Sequence, residues 1–324
     1  MKTDTLWDQI LKVDAVKRTV RWIDAMPRPE VAIEIACNRI SAVRLSRTGN
    51  VEQFSIEPVA PGMIVPSAVD TNIIDPDGVK AAIFRACSRI RVAEEQAAVL
   101  LPDPVIRAFV QHFDEFPRAR QEAVPLLKWK LKKSVPFEMA DSILSYVSQP
   151  SLKGGFDIVT TIARLRVVRE YEELVESVGM NAGVVSSSSL AALSLLEGQS
   201  PTLVARVSEQ SLTTSILRDG ALCGYRCTDL PVEREKFSPS TLLDEIYPFA
   251  AYYHDAWEEK IESVYISGFG NRFDEFAAPI QNELHCTVQP LLRTNPIDSR
   301  LTEEGRQVAE AELDGLAGWI LDCD

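Results

Sequence analysis

Apolar positions along the 324-residue chain follow two periods, and the changes between them mark the elements. Leu6, Ile10, Val13, Val16, Val20 and Ile23 step by three and four, which predicts an amphipathic helix over 5–25. Trp7 and Trp22 flank it, Lys12, Lys17, Arg18 and Arg21 give it basic charge, and Met26-Pro27-Arg28-Pro29 ends it. Residues 1–28 therefore form a separate segment, read either as a helix packed on its own domain or as a docking helix for a partner or a membrane surface.

Three strand patterns follow, Val31–Ile35, Ala42–Leu45 and Val51–Ile56, with Thr48-Gly49-Asn50 as the turn between the last two. A Pro- and Gly-rich loop spans Pro58–Pro66, and Asp75 and Asp77 stand ahead of a helix over Gly78–Arg91. Ala97–Leu101 is a strand closed by Pro102-Asp103-Pro104, and Val105–His112 is another. Pro117–Lys133 reads as a helix with six basic residues against the single acid Glu122. That run reads either as a solvated face or as a docking face for an acidic partner or lipid. Strands at Ile143–Val147 and Phe156–Ala163 flank the Lys153-Gly154-Gly155 turn, and the helix Val167–Val178 stops at Gly179. A short strand at Gly183–Val185 leads through Ser186–Ser189, a polar loop fit to cap a helix over Leu190–Leu196.

After a linker at Glu197–Pro201 the opening pattern restarts. Thr202–Val207, Leu212–Leu217 and Leu222–Cys227 are strands, the last two joined by Asp219-Gly220. A helix over Thr241–Trp257, a strand at Val264–Ser267 ending in Gly268-Phe269-Gly270, a helix near Arg272–Leu284, a strand at Thr287–Pro290 and a terminal helix over Gly305–Cys323 complete the chain. Each half opens with a three-strand meander and closes with helices, so an internal duplication is predicted.

Composition is that of a globular protein, with 46% hydrophobic and 25% charged residues. The net charge of −13 argues against general nucleic-acid binding, which needs a basic face. The N-terminus lacks the apolar core of a signal peptide. Ser177–Leu196 carries no formal charge, but its six serines, two glycines and one asparagine read as turn, strand, loop and helix start and not as a membrane span. The six cysteines include no CxxC pair and stand near no histidine at ligand spacing, so no metal site is predicted. Only His112, His254 and His285 are available for imidazole chemistry.

Two βββαβα-like halves around a cleft resemble the actin-like ATPases, and within them the PilM/FtsA group. The segments VAIEIACNRISAVRL, LLPDPVIRAF, WKLKKSVPFEMADSILSYV, VREYEELVESVGMNAGVV, LVARVSEQSLTTSILRDGAL and VYISGFGNRFDEF occur in the order found in PilM, the cytoplasmic actin-like family of type IV pilus assembly. The resemblance covers roughly residues 30–324. It implies a two-lobed α/β fold of duplicated RNase H-like type. The first lobe takes 29–98 and 180–196, an inserted small subdomain 99–179, and the second lobe 199–324, with a small insertion at about 229–261.

The resemblance also implies ATP with Mg²⁺ between two phosphate loops, and the residues can be compared with that pattern one by one. In the first loop Glu34 fits the acidic position, but Ala36 stands where a glycine lets backbone approach phosphate, and Asn38 replaces a small polar residue. In the second loop Arg206 replaces an aspartate, reversing the charge on the metal side, and Ser208 replaces a glycine. Gly268 and Gly270 match the adenosine loop. Departures at the phosphate and metal positions remove the electrostatic stabilisation that phosphoryl transfer needs, so a pseudo-ATPase with no catalytic residue is expected.

In the family, the cytoplasmic N-terminal tail of an inner-membrane partner, PilN, binds beside the inserted subdomain. The corresponding groove here would be lined by Leu101, Pro102, Val105, Phe109, Leu127 and Leu131. The resemblance thus implies a scaffold on the cytoplasmic face of the inner membrane, held there by its partner and in contact with other pilus platform components. Its alternatives are an ATP-dependent switch of the same machine, the cytoplasmic part of a GspL-type secretion protein, and a filament-forming FtsA-like role.

Overall fold

A computed structural model describes residues 29–46, 49–91, 96–151, 153–196, 200–230, 236–292, 302–310 and 312–321. The helix expected over 5–25 lies outside them. In the first half, β1 (Val31–Ile35), β2 (Arg39–Leu45) and β3 (Val51–Pro58) form an antiparallel meander. The helix α1 (Pro76–Arg89) then crosses to β4 (Gln96–Leu101), which lies parallel to β1. Asp75 caps α1 by accepting from the Gly78 amide at 3.0 Å, and Pro76 occupies its first turn, where a missing N–H costs nothing.

An inserted unit follows: a 3₁₀ turn at Asp103–Val105, β5 (Ile106–Phe113), α2 (Arg120–Leu131), β6 (Ser142–Pro150) and β7 (Phe156–Arg164). Its strands make a separate antiparallel sheet ordered β5-β7-β6. Then α3 (Leu165–Glu176), β8 (Asn181–Ser187) and α4 (Ser188–Ala192) return to the first sheet, ordered β3-β2-β1-β4-β8.

The second half repeats this plan. Strands β9 (Thr202–Val207), β10 (Ser211–Arg218) and β11 (Ala221–Asp229) form a meander, α5 (Pro239–Trp257) crosses to β12 (Ser263–Ser267), and α6 (Phe273–Leu284) leads to β13 (Thr287–Pro290). Sheet order is β11-β10-β9-β12-β13, with β12 parallel to β9 and β13 parallel to β12. Two sheets with the same strand order and the same pattern of parallel and antiparallel pairs are the structural form of a duplication.

Segment limits shift from the sequence expectation for physical reasons. The insert runs from about Ile106 to Arg164, narrower than 99–179. The end of β4, which the expected limit at 99 assigned to the insert, is hydrogen-bonded within the first sheet, and α3 buries Val167, Val168, Tyr171, Leu174 and Val175 in the core of the first lobe. Within the expected insertion at about 229–261, α5 occupies the position α1 takes in the first lobe. It buries Leu242, Ile246, Ala250 and Tyr253 in the second lobe's core. The terminal helix is two helices, α7 (Glu303–Glu310) and α8 (Asp314–Leu321), broken near Glu312 at φ +57°. Every residue of α8 is buried, which explains its nearly all-apolar sequence.

One apolar cluster joins the lobes. It contains Ala32, Val43 and Leu100 from the first sheet, Val204, Leu217 and Leu222 from the second, and Leu316, Trp319 and Ile320 from α8. The helix α8 reaches α4 closely because Gly318 faces the Ala191 carbonyl, where a Cβ would collide with backbone, and Gly315 lies against Ser188 and Glu34.

Candidate functional site

The cleft lies where the β1–β2 and β9–β10 turns meet. The first turn is closed by the Ala36 amide donating to the Arg39 carbonyl at 2.9 Å, the second by Ser208 N–H donating to the Ser211 carbonyl at 2.8 Å. The turns touch each other, for Asn38 Nδ2 donates to Glu209 Oε1 at 2.9 Å across the gap. Gly268, at φ +91°, lies against the Val207 carbonyl and brings the β12–α6 turn to the rim. The remaining cavity is about 150 Å³, half the lower bound of roughly 300 Å³ for small-molecule pockets.

Arg206 fills the centre. It stands near the end of β9, opposite Thr213 and beside Ser267 in the sheet register. Its Nε donates to Asp314 Oδ2 at 2.6 Å and its Nη1 to Asp103 Oδ2 at 3.1 Å and Ser189 Oγ at 3.2 Å. Its Nη2 donates to Ser188 Oγ at 2.8 Å, Asp314 Oδ1 at 3.0 Å and Glu34 Oε1 at 3.3 Å. The pair with Asp314 is bidentate, the geometry a planar guanidinium favours.

The hydroxyl of Ser188 donates to Glu34, and those of Ser189 and Thr213 to Asp103, so each of the three carboxylates is held, although Glu34 Oε2 is buried without a hydrogen bond. Arg206 is 8% exposed, and Glu34, Asp103 and Asp314 are 2–3% exposed. Burial alone pushes the Arg206 pKa down, but Asp314, Asp103 and Glu34 outweigh it, and the guanidinium stays charged well above its ordinary value. Burial pushes the Asp314 carboxyl up, but Arg206 and the Ser267 hydroxyl hold it below the usual carboxylate range.

These residues do not fit a metal–nucleotide complex. A guanidinium already holds the three carboxylates that a hydrated divalent cation would need. Three buried acids against one buried base leave a negative cleft, which disfavours a polyphosphate. Ala36 and Ser208 add side-chain atoms at the two turns, and Glu209 bridges them instead of facing open space.

Of the sequence-predicted residues, Glu34, Ala36, Asn38, Arg206, Ser208 and Gly268 line this one cavity. Gly270 lines an adjoining hollow of about 220 Å³ with Phe269, Leu291 and Leu292. Sequence reasoning missed Asp103 and Asp314. Asp103 had a signal, a carboxylate just past the C-terminal end of a parallel strand, where α/β folds place their sites. Asp314 had none, since an acid at the head of a late helix has many uses.

The six residues expected to line a peptide groove do not come together. Leu101 and Val105 are buried in the first lobe's core, while Leu127 and Leu131 are buried in the insert's own core with Phe109 packed partly against it. Pro102 lines the cleft. The seam between first lobe and insert is drawn instead by Arg164, whose Nη1 donates to the Val69 carbonyl at 2.6 Å and whose Nε donates to Asp141 at 2.7 Å. Val65, Ile74 and Ile143 are exposed on the segments that meet there.

No protein-family model and no curated protein matches the sequence. Solved structures do. A PilM–PilN type IV pilus biogenesis complex matches with a TM-score of 0.70 at 17% identity, over 91% of this chain and 98% of the other. A Bacteroides thetaiotaomicron protein of unknown function with an actin-like ATPase fold matches at 0.53 and 11% identity, over 89% and 98% of the two chains. The cytoplasmic domain of EpsL, an inner-membrane component of the Vibrio cholerae type II secretion system, matches at 0.48 and 11% identity, over 73% and 80%. With the duplicated sheets and the cleft between them, the first two likenesses show that the chain has the two-lobed actin-like ATPase fold.

Proposed function

We propose that this protein is a non-catalytic scaffold of a pilus-type assembly machine, binding the cytoplasmic tail of an inner-membrane partner resembling PilN. The observation that carries the non-catalytic half is Arg206, a built-in cation joined to both lobes where phosphate and metal would meet. The partner half rests on the likeness to a structure solved as a PilM–PilN complex. It also rests on the apolar side chains exposed at the seam between first lobe and insert, which suit a short extended segment. Work at the cytoplasmic face of the membrane is part of the same proposal. Among the described residues, no helix is long and apolar enough to cross a membrane.

A thermal melt with and without Mg-ATP tests the first half. A ligand present at 100 times its Kd stabilises by about 2.7 kcal/mol, a rise of several degrees for a protein of this size. The expected result is no shift at millimolar nucleotide and no phosphate release. The 220 Å³ hollow at Gly268–Gly270 favours one alternative, a nucleotide-responsive switch, and a shift of several degrees would establish it. For the second half, immobilised N-terminal peptide of the PilN-like partner is expected to retain the wild-type chain. Ile74→Asp with Ile143→Asp, both at exposed sites, is expected to abolish retention with the melting temperature unchanged. Equal retention of the double variant would refute the seam as the docking place.

A further inference from the structure

Charge is unevenly distributed in this molecule. Between Ile106 and Arg164 there are nine Lys and Arg against six Asp and Glu, a net of +3 in a chain of −13, which leaves −16 for the rest. The outward face of α2 concentrates the basic charge around one aromatic side chain. Trp129 is 76% exposed, the largest exposure among the big apolar residues of the described chain. Pro125, four before it on the same helical face, is also exposed, as is Glu122 seven before, and Lys132 and Lys133 follow exposed in the turn that leaves the helix.

The opposite face is anchored, with Leu127 and Leu131 fully buried on the insert's sheet. The other two lysines are engaged. Lys128 Nζ donates to the Met139 and Ser142 carbonyls, and Lys130 Nζ donates to the His112 carbonyl and lies 3.8 Å from the centre of the Phe113 ring. Lys132 and Lys133 form no ion pair among the described residues, and both are exposed at the end of α2 that follows Trp129.

We infer that this face of α2 docks on an anionic lipid surface. Tryptophan belongs at the headgroup level, with its ring in the apolar boundary and its N–H in water. Each lysine near an anionic leaflet contributes roughly fivefold in partitioning. The acidic remainder of the molecule does not cancel this, since charges more than about 8 Å from the surface are screened at physiological salt. A bare solvated helix face explains the lysines but not an indole held out in their midst by a rigid helix. A few basic side chains and one indole give weak, reversible contact, as suits a surface that adds to a second tether. The inference does not depend on which protein partner is bound.

Flotation of the full chain with vesicles of phosphatidylglycerol and phosphatidylcholine, against phosphatidylcholine alone, tests it. Binding to the anionic vesicles only, abolished by high salt, is expected. Lys132→Glu with Lys133→Glu should lower partitioning by more than about tenfold. Trp129→Ala should weaken it severalfold, and both variants should melt like the wild type because the sites are exposed. Absence of binding to anionic vesicles at low salt overturns the inference. So does binding that survives the lysine reversal, which would put the contact elsewhere, such as residues 1–28. A lysine reversal that leaves vesicle binding intact but abolishes capture of an acidic peptide would make the face a protein site and likewise overturn it.

Discussion

Replacing Arg206 with alanine is expected to destabilise the protein by about 3–5 kcal/mol at pH 7, the usual cost of removing one partner from a buried ion cluster. The loss is large because the guanidinium satisfies acceptors on four segments at once. Glu34 belongs to β1, Asp103 to the turn after β4, Ser188 and Ser189 to α4, and Asp314 to α8. Without it, three buried carboxylates face one another. Lysine is expected to recover only part of the loss, since three donors on one nitrogen cannot reproduce a planar fork.

The sign of the pH dependence separates this account from simple loss of packing. The Asp314 carboxyl is held below its ordinary value by Arg206, so its contribution is present above about pH 4 and fades as pH falls through the lowered folded-state value. In Arg206→Ala, mutual repulsion and burial should instead raise carboxyl values, and taking up a proton relieves the folded state. The stability gap between wild type and variant is therefore expected to narrow from pH 7 to pH 5. Millimolar Mg²⁺ is expected to raise the melting temperature of the variant and leave that of the wild type unchanged. Urea titrations at both pH values measure the gap, and a constant gap or a variant as stable as the wild type would contradict the electrostatic reading.

Gly318→Ala should be nearly as damaging, about 3 kcal/mol or more. Its new methyl group would run into the Ala191 carbonyl and the Ala192 backbone. Neither can rotate away as a side chain would, so α8 would have to lift from α4 and take Asp314 from Arg206. Gly183→Ala in β8 is the matching control, because its methyl would meet only the flexible Gln96 side chain, at 3.2 Å. That change is expected to cost less than about 1 kcal/mol. Comparable melting temperatures for the two variants would show that the α8–α4 contact tolerates expansion.

The duplicated architecture was legible in the sequence because the two meanders carry the same rhythm of apolar runs and turns. The Ser187 cap of α4, accepting from the Leu190 amide at 3.1 Å, and the break after α3 at Gly179, φ +89°, were equally readable from local chemistry. What misled was burial on both faces. All residues of β1 are buried, as are those of β9, so their patterns gave strand but not neighbours. The insert's limits were misplaced for the same reason, since nothing in the composition of β4 or α3 says which core they enter. Leu101 and Leu127 looked alike as groove candidates and lie in different cores. The charge reversal at position 206 was visible, but not that the cleft supplies its own counter-ions, because Asp103 and Asp314 lie 103 and 108 positions away from it in sequence.

The placement of α8 bears on how the protein is made. The helix follows both lobes in sequence yet covers α4 and contributes to the apolar layer between the sheets. On the ribosome, the first lobe emerges with Ala32, Leu100 and Ala191 uncovered, and with Glu34 and Asp103 lacking the arginine that neutralises them. Domains generally mature in order of synthesis, but here the face of the first lobe that packs on α8 is covered only once α8 has left the exit tunnel. Nascent chains stalled short of α8 should therefore remain sensitive to protease in the first lobe, and chaperones have a long interval in which to engage it.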